Sequence, residues 1–414
     1  MTRVLALVAF LASPLVASAQ QQFDRRSREE PEIVVETGGR VGYCDTLTFT
    51  TDGKFLLAAG DDKVVRVWPH TADGLNTERD AARVLRWRAW RDERGGIKAM
   101  AVSPDGKKVA LGGLGMKPST VAVLDRATGE TLALTWPQVR PGDPNFNAVT
   151  AVGFHPDGRV GFGTADGSLW VWDPAPKPPD DLGRTAALPA RVGKHAPMKA
   201  NKDGALAEFN VPRCVDFPDA KTLRSVGQSG QVLACDLDPK QPDTPKQPPP
   251  AKELFHVNAG FPDDPRVYRA AFIDGGAWLV VASAGPRVVL WSADGEKSIP
   301  LALNGGQFPR SIAWHPKQRL LAVGVGAVTP TGNKPAFFLE GDDEVLLYAD
   351  PIKNPDVRPT KLKHKGRAES LAFHPTDPRL AVAGGPTDEV TLWDIDRPGK
   401  PLSPARGLGR RPRA

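Results

Sequence analysis

Cysteine is scarce in this chain of 414 residues, with Cys44, Cys214 and Cys235 as its whole complement. An odd number at that density excludes a disulfide framework as the organising principle of the fold. Beyond the N-terminus, no apolar run approaches the roughly 20 residues of a membrane-spanning helix. No segment carries the apolar period of a long amphipathic helix, which argues against bundles and doubly wound α/β sheets. Signatures of common chemistry are missing too: no G-x-S-x-G elbow, no phosphate-cradling glycine loop before a helix, no H-E-x-x-H. Even the basic excess is local. Of the net +6, Arg3 and the tail residues Arg397, Lys400, Arg406, Arg410, Arg411 and Arg413 supply more than all, leaving the body at −1. Such a body has no electrostatic footprint for nucleic acid.

What is present begins with a targeting segment. Arg3 gives a positive start, residues 4–16 are almost wholly apolar, and Ala17, Ser18 and Ala19 form a small-residue cleavage site. Residues 1–19 therefore read as a secretory signal peptide, and the mature protein is expected to be exported, periplasmic or extracellular. At the other end, residues 397–414 are basic and rich in Pro and Gly, a composition expected to stay disordered.

Between these ends one pattern keeps returning. An alternating apolar run, a tight turn, a second apolar run with small residues, a further turn and a third run recur seven times. The third runs end at Trp68, Leu124, Trp172, Cys235, Trp291, Tyr348 and Trp393. The first turns read TTDG at 50–53, SPDG at 103–106 and HPDG at 155–158, with degenerate forms later. Asp-Gly between alternating runs is a strong hairpin signal. Weaker fourth runs follow at 83–88, 130–135, 252–256 and 297–303. Four short strands per unit, seven times over, predict an all-β, seven-bladed propeller of four-stranded antiparallel blades. Cys214 and Cys235 then fall on the first and third strands of one blade, roughly 9–10 Å apart, too far for a disulfide.

Over residues 32–396 the chain resembles the WD-repeat β-propeller family. The naming Trp-Asp pair stands at Trp172-Asp173 and Trp393-Asp394 and is altered at Trp68-Pro69 and Trp291-Ser292. The family's turn aspartate, six residues before the tryptophan, matches Asp62 and Asp166, while Asp388 is one place off. Its Gly-His pair is nearly absent. Only His364 has the matching distance, so the resemblance implies a His–Asp hydrogen bond in the last copy alone, His364 to Asp388. It also implies that the strand-like run Ile33, Val34, Val35 and Glu36 closes the ring as the last blade's fourth strand.

Sorting insertions by the family's topology puts segments 89–96, 113–120, 136–147, 191–210, 257–266 and 325–342 on the face shared by d–a and b–c loops. They carry Trp90, Trp136, Phe146, Phe261, Phe337 and Phe338 as candidate partner-binding residues. The opposite face receives Pro-rich spacers at 174–181 and 239–250. His155, His315 and His374 each precede a proline in a first turn and are spread around the ring, which fits turn capping rather than metal ligation. Asp61-Asp62 and Asp342-Asp343 lie where turns favour aspartate. The reading that results is an exported, non-enzymatic, monomeric scaffold for a protein or peptide, with no cofactor or metal. A propeller enzyme of the lactonase or hydrolase kind, with polar residues around the channel mouth, is the alternative. A sensor fragment of a larger chain is a third.

Overall fold

The computed structural model describes residues 43–405 except 79–80, 88–95, 116, 118, 138–147, 176, 178–183, 199–208, 238–250, 258–265, 284, 304–306, 328–343, 365, 385–388, 400 and 403–404. The chain divides into two compact units, Met1–Glu36 and Thr37–Ala414, and the propeller belongs to the second. Seven antiparallel sheets follow one another in sequence, each built in simple chain order. Blade 1 comprises Cys44–Phe49, Phe55–Gly60, Val64–Thr71 and Arg83–Arg86, with a short extra hairpin strand at Gly74–Leu75. Blade 2 comprises Ile97–Val102, Lys108–Gly113, Val121–Asp125 and Thr131–Thr135. Blade 3 has Val149–Phe154, Val160–Thr164, Ser168–Trp172 and Ala190–Lys194; blade 4 has Pro212–Asp216, Thr222–Gly227, Gln231–Asp236 and Lys252–His256. Blade 5 has Val267–Ile273, Trp278–Ser283, Val288–Ser292 and Ser298–Leu301; blade 6 has Gln307–His315, Leu320–Ala327, Glu344–Ala349 and Thr360–Lys363. Blade 7 has Ala368–Phe373, Arg379–Gly384 and Val390–Asp394. The fourth strands of blades 3 and 6 were not legible in sequence, and Ala190–Lys194 shortens the loop expected at 191–210.

Local chemistry sets the hairpins. In TTDG and SPDG the hydroxyls of Thr50 and Ser103 donate to Asp52 and Asp105, whose carboxylates also accept the amides of Lys54 and Lys107. Gly53 and Gly106 then take φ of 72° and 71°, which a side chain would resist. The three His-Pro turns use an imidazole instead. Nδ1 accepts the amide of Asp157 on His155 (3.2 Å), of Gln318 on His315 (3.4 Å) and of Asp377 on His374 (2.8 Å).

Packing follows from the sheets' two apolar faces. The buried core falls into clusters that each join neighbouring blades: 1 to 2, 2 to 3, 3 to 4, 4 to 5, 5 to 6, 6 to 7 and 7 back to 1. No blade buries both faces alone, so stability is distributed over the seams. Trp68, Trp172 and Trp393 are buried in them. The buried indole N–H groups of Trp172, Trp291 and Trp393 have no hydrogen-bond partner among the described residues, so these tryptophans act through packing.

Ring closure differs from the expectation. The outer edge of Val390–Asp394 is paired by the chain's own Pro401, Leu402 and Ala405. Ala405 exchanges backbone hydrogen bonds with Val390 (2.8 and 3.1 Å), and Leu402 N donates to Leu392 O (2.7 Å). Ala405 is fully buried in the seam between blades 7 and 1, with Leu402 packed beside it. Residues 33–36 lie outside the described residues, and the place expected for them is taken. The tail expected to be disordered is thus pinned at Pro401, Leu402 and Ala405. Its prolines hid this, but an outermost strand needs only one hydrogen-bonding side, so an edge tolerates Pro401.

Cys214 and Cys235 do fall on the first and third strands of blade 4, and none of the three cysteines is in a disulfide. Burial pushes both the Cys214 and Cys235 thiols up to about 12. Alkylation at pH 8 is therefore expected to be slow on the folded protein and complete at three sites after unfolding, read by mass shift. A Cys214–Cys235 bridge in the mass spectrum would overturn this strand placement.

Candidate binding face at the channel mouth

The first strand of each blade lines the central channel, each packed against its two neighbours around the ring. Its N-terminal end emerges on the d–a/b–c face. There every one of the seven first strands has a register break that leaves one residue out of the pairing: Asp45, Lys98, Thr150, Arg213, Tyr268, Arg310 and Glu369. A bulge re-aims side chains and frees main-chain groups. Here these are used to tie blade to blade. Thr150 Oγ1 donates to the Pro212 carbonyl (2.8 Å), Arg213 Nε to Val267 (3.0 Å), Arg269 Nε to Arg310 (3.2 Å) and Ser311 Oγ to Ala368 (2.7 Å). Glu369 then accepts the Cys44 amide (3.0 Å), which carries the belt across the seam where the chain's ends meet.

Charged side chains stand at the mouth on several blades. On blades 1 and 2, Lys98 Nζ bridges Asp45 (3.1 Å) and Asp61 (2.9 Å). Burial opposes the Lys98 ammonium, but the two carboxylates outweigh it and hold the pKa above the usual lysine value. Burial raises the Asp45 carboxyl, and Lys98 partly offsets this. Blades 4 and 5 contribute Arg213 and Arg269. Burial first, and then Arg269, push Arg213 down to about 10. Among the described residues Arg213 donates to the Gln228 side-chain oxygen (2.8 Å) and the Val267 carbonyl, and Arg269 to the Arg310 carbonyl.

Of the aromatic candidates, Trp136 alone is described. It is buried in the seam between blades 1 and 2 with the Arg184 guanidinium over its ring, so it is a core residue and not an exposed anchor. Its position one residue past a fourth strand directs it inward. Trp90, Phe146, Phe261, Phe337 and Phe338 lie outside the described residues. The exposed large apolar side chains at this end are Phe209, just before blade 4, and Tyr268 on blade 5, each 48% exposed. Neither stood out in sequence, because each adjoins a strand rather than sitting mid-insertion.

The signature residues separate in the same way. Asp62 binds Arg66 (3.3 Å), both side chains buried. Asp166 accepts Thr164 Oγ1 (2.6 Å) and Ser168 Oγ (2.9 Å); burial alone would raise its pKa, but these hydrogen bonds hold it below the usual carboxylate value. His364 is buried, which lowers its pKa; Asp388 lies outside the described residues. A buried histidine with side-chain partners on the neighbouring strands occurs in blade 4. His195 Nε2 lies 2.9 Å from Ser225 Oγ, and Nδ1 lies 3.2 Å from Gln231 Oε1. The insertion after residue 195 stretches its distance to Phe217, which concealed it.

On the opposite face His70, His374 and Asp377 approach one another at the seam of blades 7 and 1. This is the group of three potential metal ligands among the described residues. The fit is poor. His374 Nδ1 already accepts the Asp377 and Thr376 amides, and its Nε2 sits 2.9 Å from the Gly53 carbonyl, so neither nitrogen offers a spare lone pair. No helix among the described residues is long and apolar enough to cross a membrane.

Seven such blades make a β-propeller, and four of the seven third strands carry a tryptophan at the matching place, Trp68, Trp172, Trp291 and Trp393. The family model for the WD domain, G-beta repeat, matches residues 37–69 and 141–173. The β-propeller domain of Cps50 (Swd1) from Myceliophteria thermophila superposes with a TM-score of 0.57 at 13% identity, covering 86% of this chain and 98% of that one. The WD40 repeats of RRP9 give 0.55 at 14% identity, covering 84% and 91%. Over 152 residues the chain is 29% identical to pre-mRNA-processing factor 19 homolog 2 of Arabidopsis thaliana; that stretch is 36% of this chain and spans only 25% of the relative's length.

Proposed function

We propose that this propeller is an exported, non-enzymatic scaffold that binds a protein or peptide on its d–a/b–c face. The carrying observation is the exposure of Phe209 and Tyr268 at that end of adjacent blades 4 and 5. Aromatic rings held half in solvent by a rigid frame act as binding anchors. The polar groups at the mouth support binding over hydrolysis. Lys98 is held protonated by two carboxylates, and arginine does not act as a general base. Export rests on the leader pattern of residues 1–19, with the mature chain beginning at Gln20.

The test is affinity capture from an envelope extract with mature protein and with the Phe209→Ala/Tyr268→Ala variant. Loss of an aromatic anchor costs about 2 kcal/mol or more, near thirtyfold in affinity. Capture should therefore fall at least that far while the denaturation midpoint stays put. Undiminished capture by a stably folded variant would move the interface off this face.

A further inference from the structure

Buried imidazoles bracket blade 7, the blade at which the ring closes. On its seam with blade 1, the His70 and His374 ring centroids lie 4.5 Å apart, and Phe49 packs its ring edge-on to both, at 5.8 and 5.0 Å. On its seam with blade 6, His315 lies 5.4 Å from Phe373. The side chains of His70 and His374 are only 6% and 4% exposed, and His315 is fully buried. His374 is built into its turn, with Nε2 at the Gly53 carbonyl and Nδ1 accepting the Asp377 and Thr376 amides, so it offers nothing to a metal. His70 is held differently. Its Nε2 is buried without a hydrogen-bond partner among the described residues, and its Nδ1 stops 4.0 Å from the Asp377 carboxylate, beyond hydrogen-bond reach.

His70 also touches the device that closes the ring. It begins the short hairpin of blade 1, in which His70 pairs with Leu75 and Thr71 with Gly74. Leu75 is buried in one cluster with Ala405, against which Leu402 packs, and a Cβ at Gly74 would stand 3.9 Å from the Leu402 side chain. We infer that His70 is the trigger of an acid-sensitive latch: its protonation lifts the hairpin 70–75, releases Pro401, Leu402 and Ala405, and opens the ring at blade 7. A cation on His70 is buried beside a second imidazole, and leaving the seam is the way to hydrate it. The titratable and charged groups that act on His70 are His374, Asp377 and Arg379; Arg379 is paired with Asp394 (2.8 Å), and the Asp377 side chain is half exposed. Burial, and then His374, hold the His70 pKa below its ordinary 6.5. The closed state therefore has its full stability above that value and loses it as pH falls. His315, with His374 and Lys317 as its charged neighbours, is lowered by burial and acts in the same sense on the other side of blade 7. Release bares the Val390–Asp394 edge and frees a tail that carries Arg406, Arg410, Arg411 and Arg413.

The experiment is hydrogen exchange read by mass spectrometry on the full-length mature protein at about pH 7.5 and about pH 5.5, with labelling times scaled for the intrinsic effect of pH. Protection of the peptide spanning residues 396–406 should fall by up to about tenfold, the limit for one proton taken up by an open state of ordinary histidine pKa. Peptides from blades 2 and 5, which contain no histidine, should keep theirs. His70→Phe keeps a flat ring against Phe49 and His374 but takes no charge, and His70→Gln is polar and equally unable to titrate. In either variant the closing segment should be protected alike at both pH values. Ala405→Cys, placed in the wild-type and His70→Phe chains, gives a second readout: a disulfide reagent active in acid should reach this buried position faster at low pH only where His70 is present. His195→Gln, which acts in blade 4, should leave that response in place. Loss of protection spread equally over blades 2 and 5, or a closing segment whose pH response survives in both His70 variants, overturns the latch.

Discussion

Ending the chain at Gly399 is expected to destabilise the propeller by about 3 kcal/mol and to make it self-associate. The loss combines three backbone hydrogen bonds, near 1 kcal/mol each net, with the burial of Leu402 and Ala405 in the seam of blades 7 and 1; strain relief and relaxation of the seam offset part of it. Val390–Asp394 then becomes an open edge of alternating apolar residues, a template for another chain. The denaturant midpoint should drop, and size-exclusion chromatography should show concentration-dependent oligomers. Deleting residues 20–37 is the informative comparison. If 33–36 were the closing strand, that deletion would carry the loss. A truncated chain that stays monomeric with an unchanged midpoint would overturn closure by 401–405.

Acid should loosen the fold well above the range where carboxylates titrate. Burial pushes the His195 imidazole down to about 4, against 6.5 for the free side chain. The unfolded chain therefore takes up this proton first. The histidine's contribution is fully present above pH 6.5 and is lost as pH falls toward about 4, at about 1.4 kcal/mol per unit. Between pH 7 and pH 5 that is about 2 kcal/mol. His70, His315 and His364, also lowered by burial, act in the same direction. Urea titrations across this window should show the decline, and His195→Gln should flatten it while starting from lower stability, since it loses the contacts to Ser225 and Gln231. A variant with the wild-type slope would mean that His195 is solvated in the folded state.

The candidate site was less legible than the fold. Trp136 was read as an exposed anchor because it opens an insertion, yet one residue past a strand the chain still follows that strand's inward alternation. Arg213 and Arg269 sit in segments that read as ordinary strands. The register breaks that skip Arg213 and Tyr268 fall at the same place in adjacent blades, and one skipped residue leaves no mark on composition. His195 was hidden by the loop that follows it, and the closing segment by its prolines.

The sequence by itself determined the blades. Alternating apolar runs, Asp-Gly and His-Pro turns and seven third-strand endings are local signals, with partners only a few residues away, so period and turn chemistry suffice to specify them. Only the tertiary structure decided which segment closes the ring, which aromatics stay in solvent and which charges meet at the mouth. Each of these depends on residues tens to hundreds of positions apart, as with Cys44 and Glu369. Their proximity arises when seven blades pack face to face around one axis, and no local pattern encodes that distance.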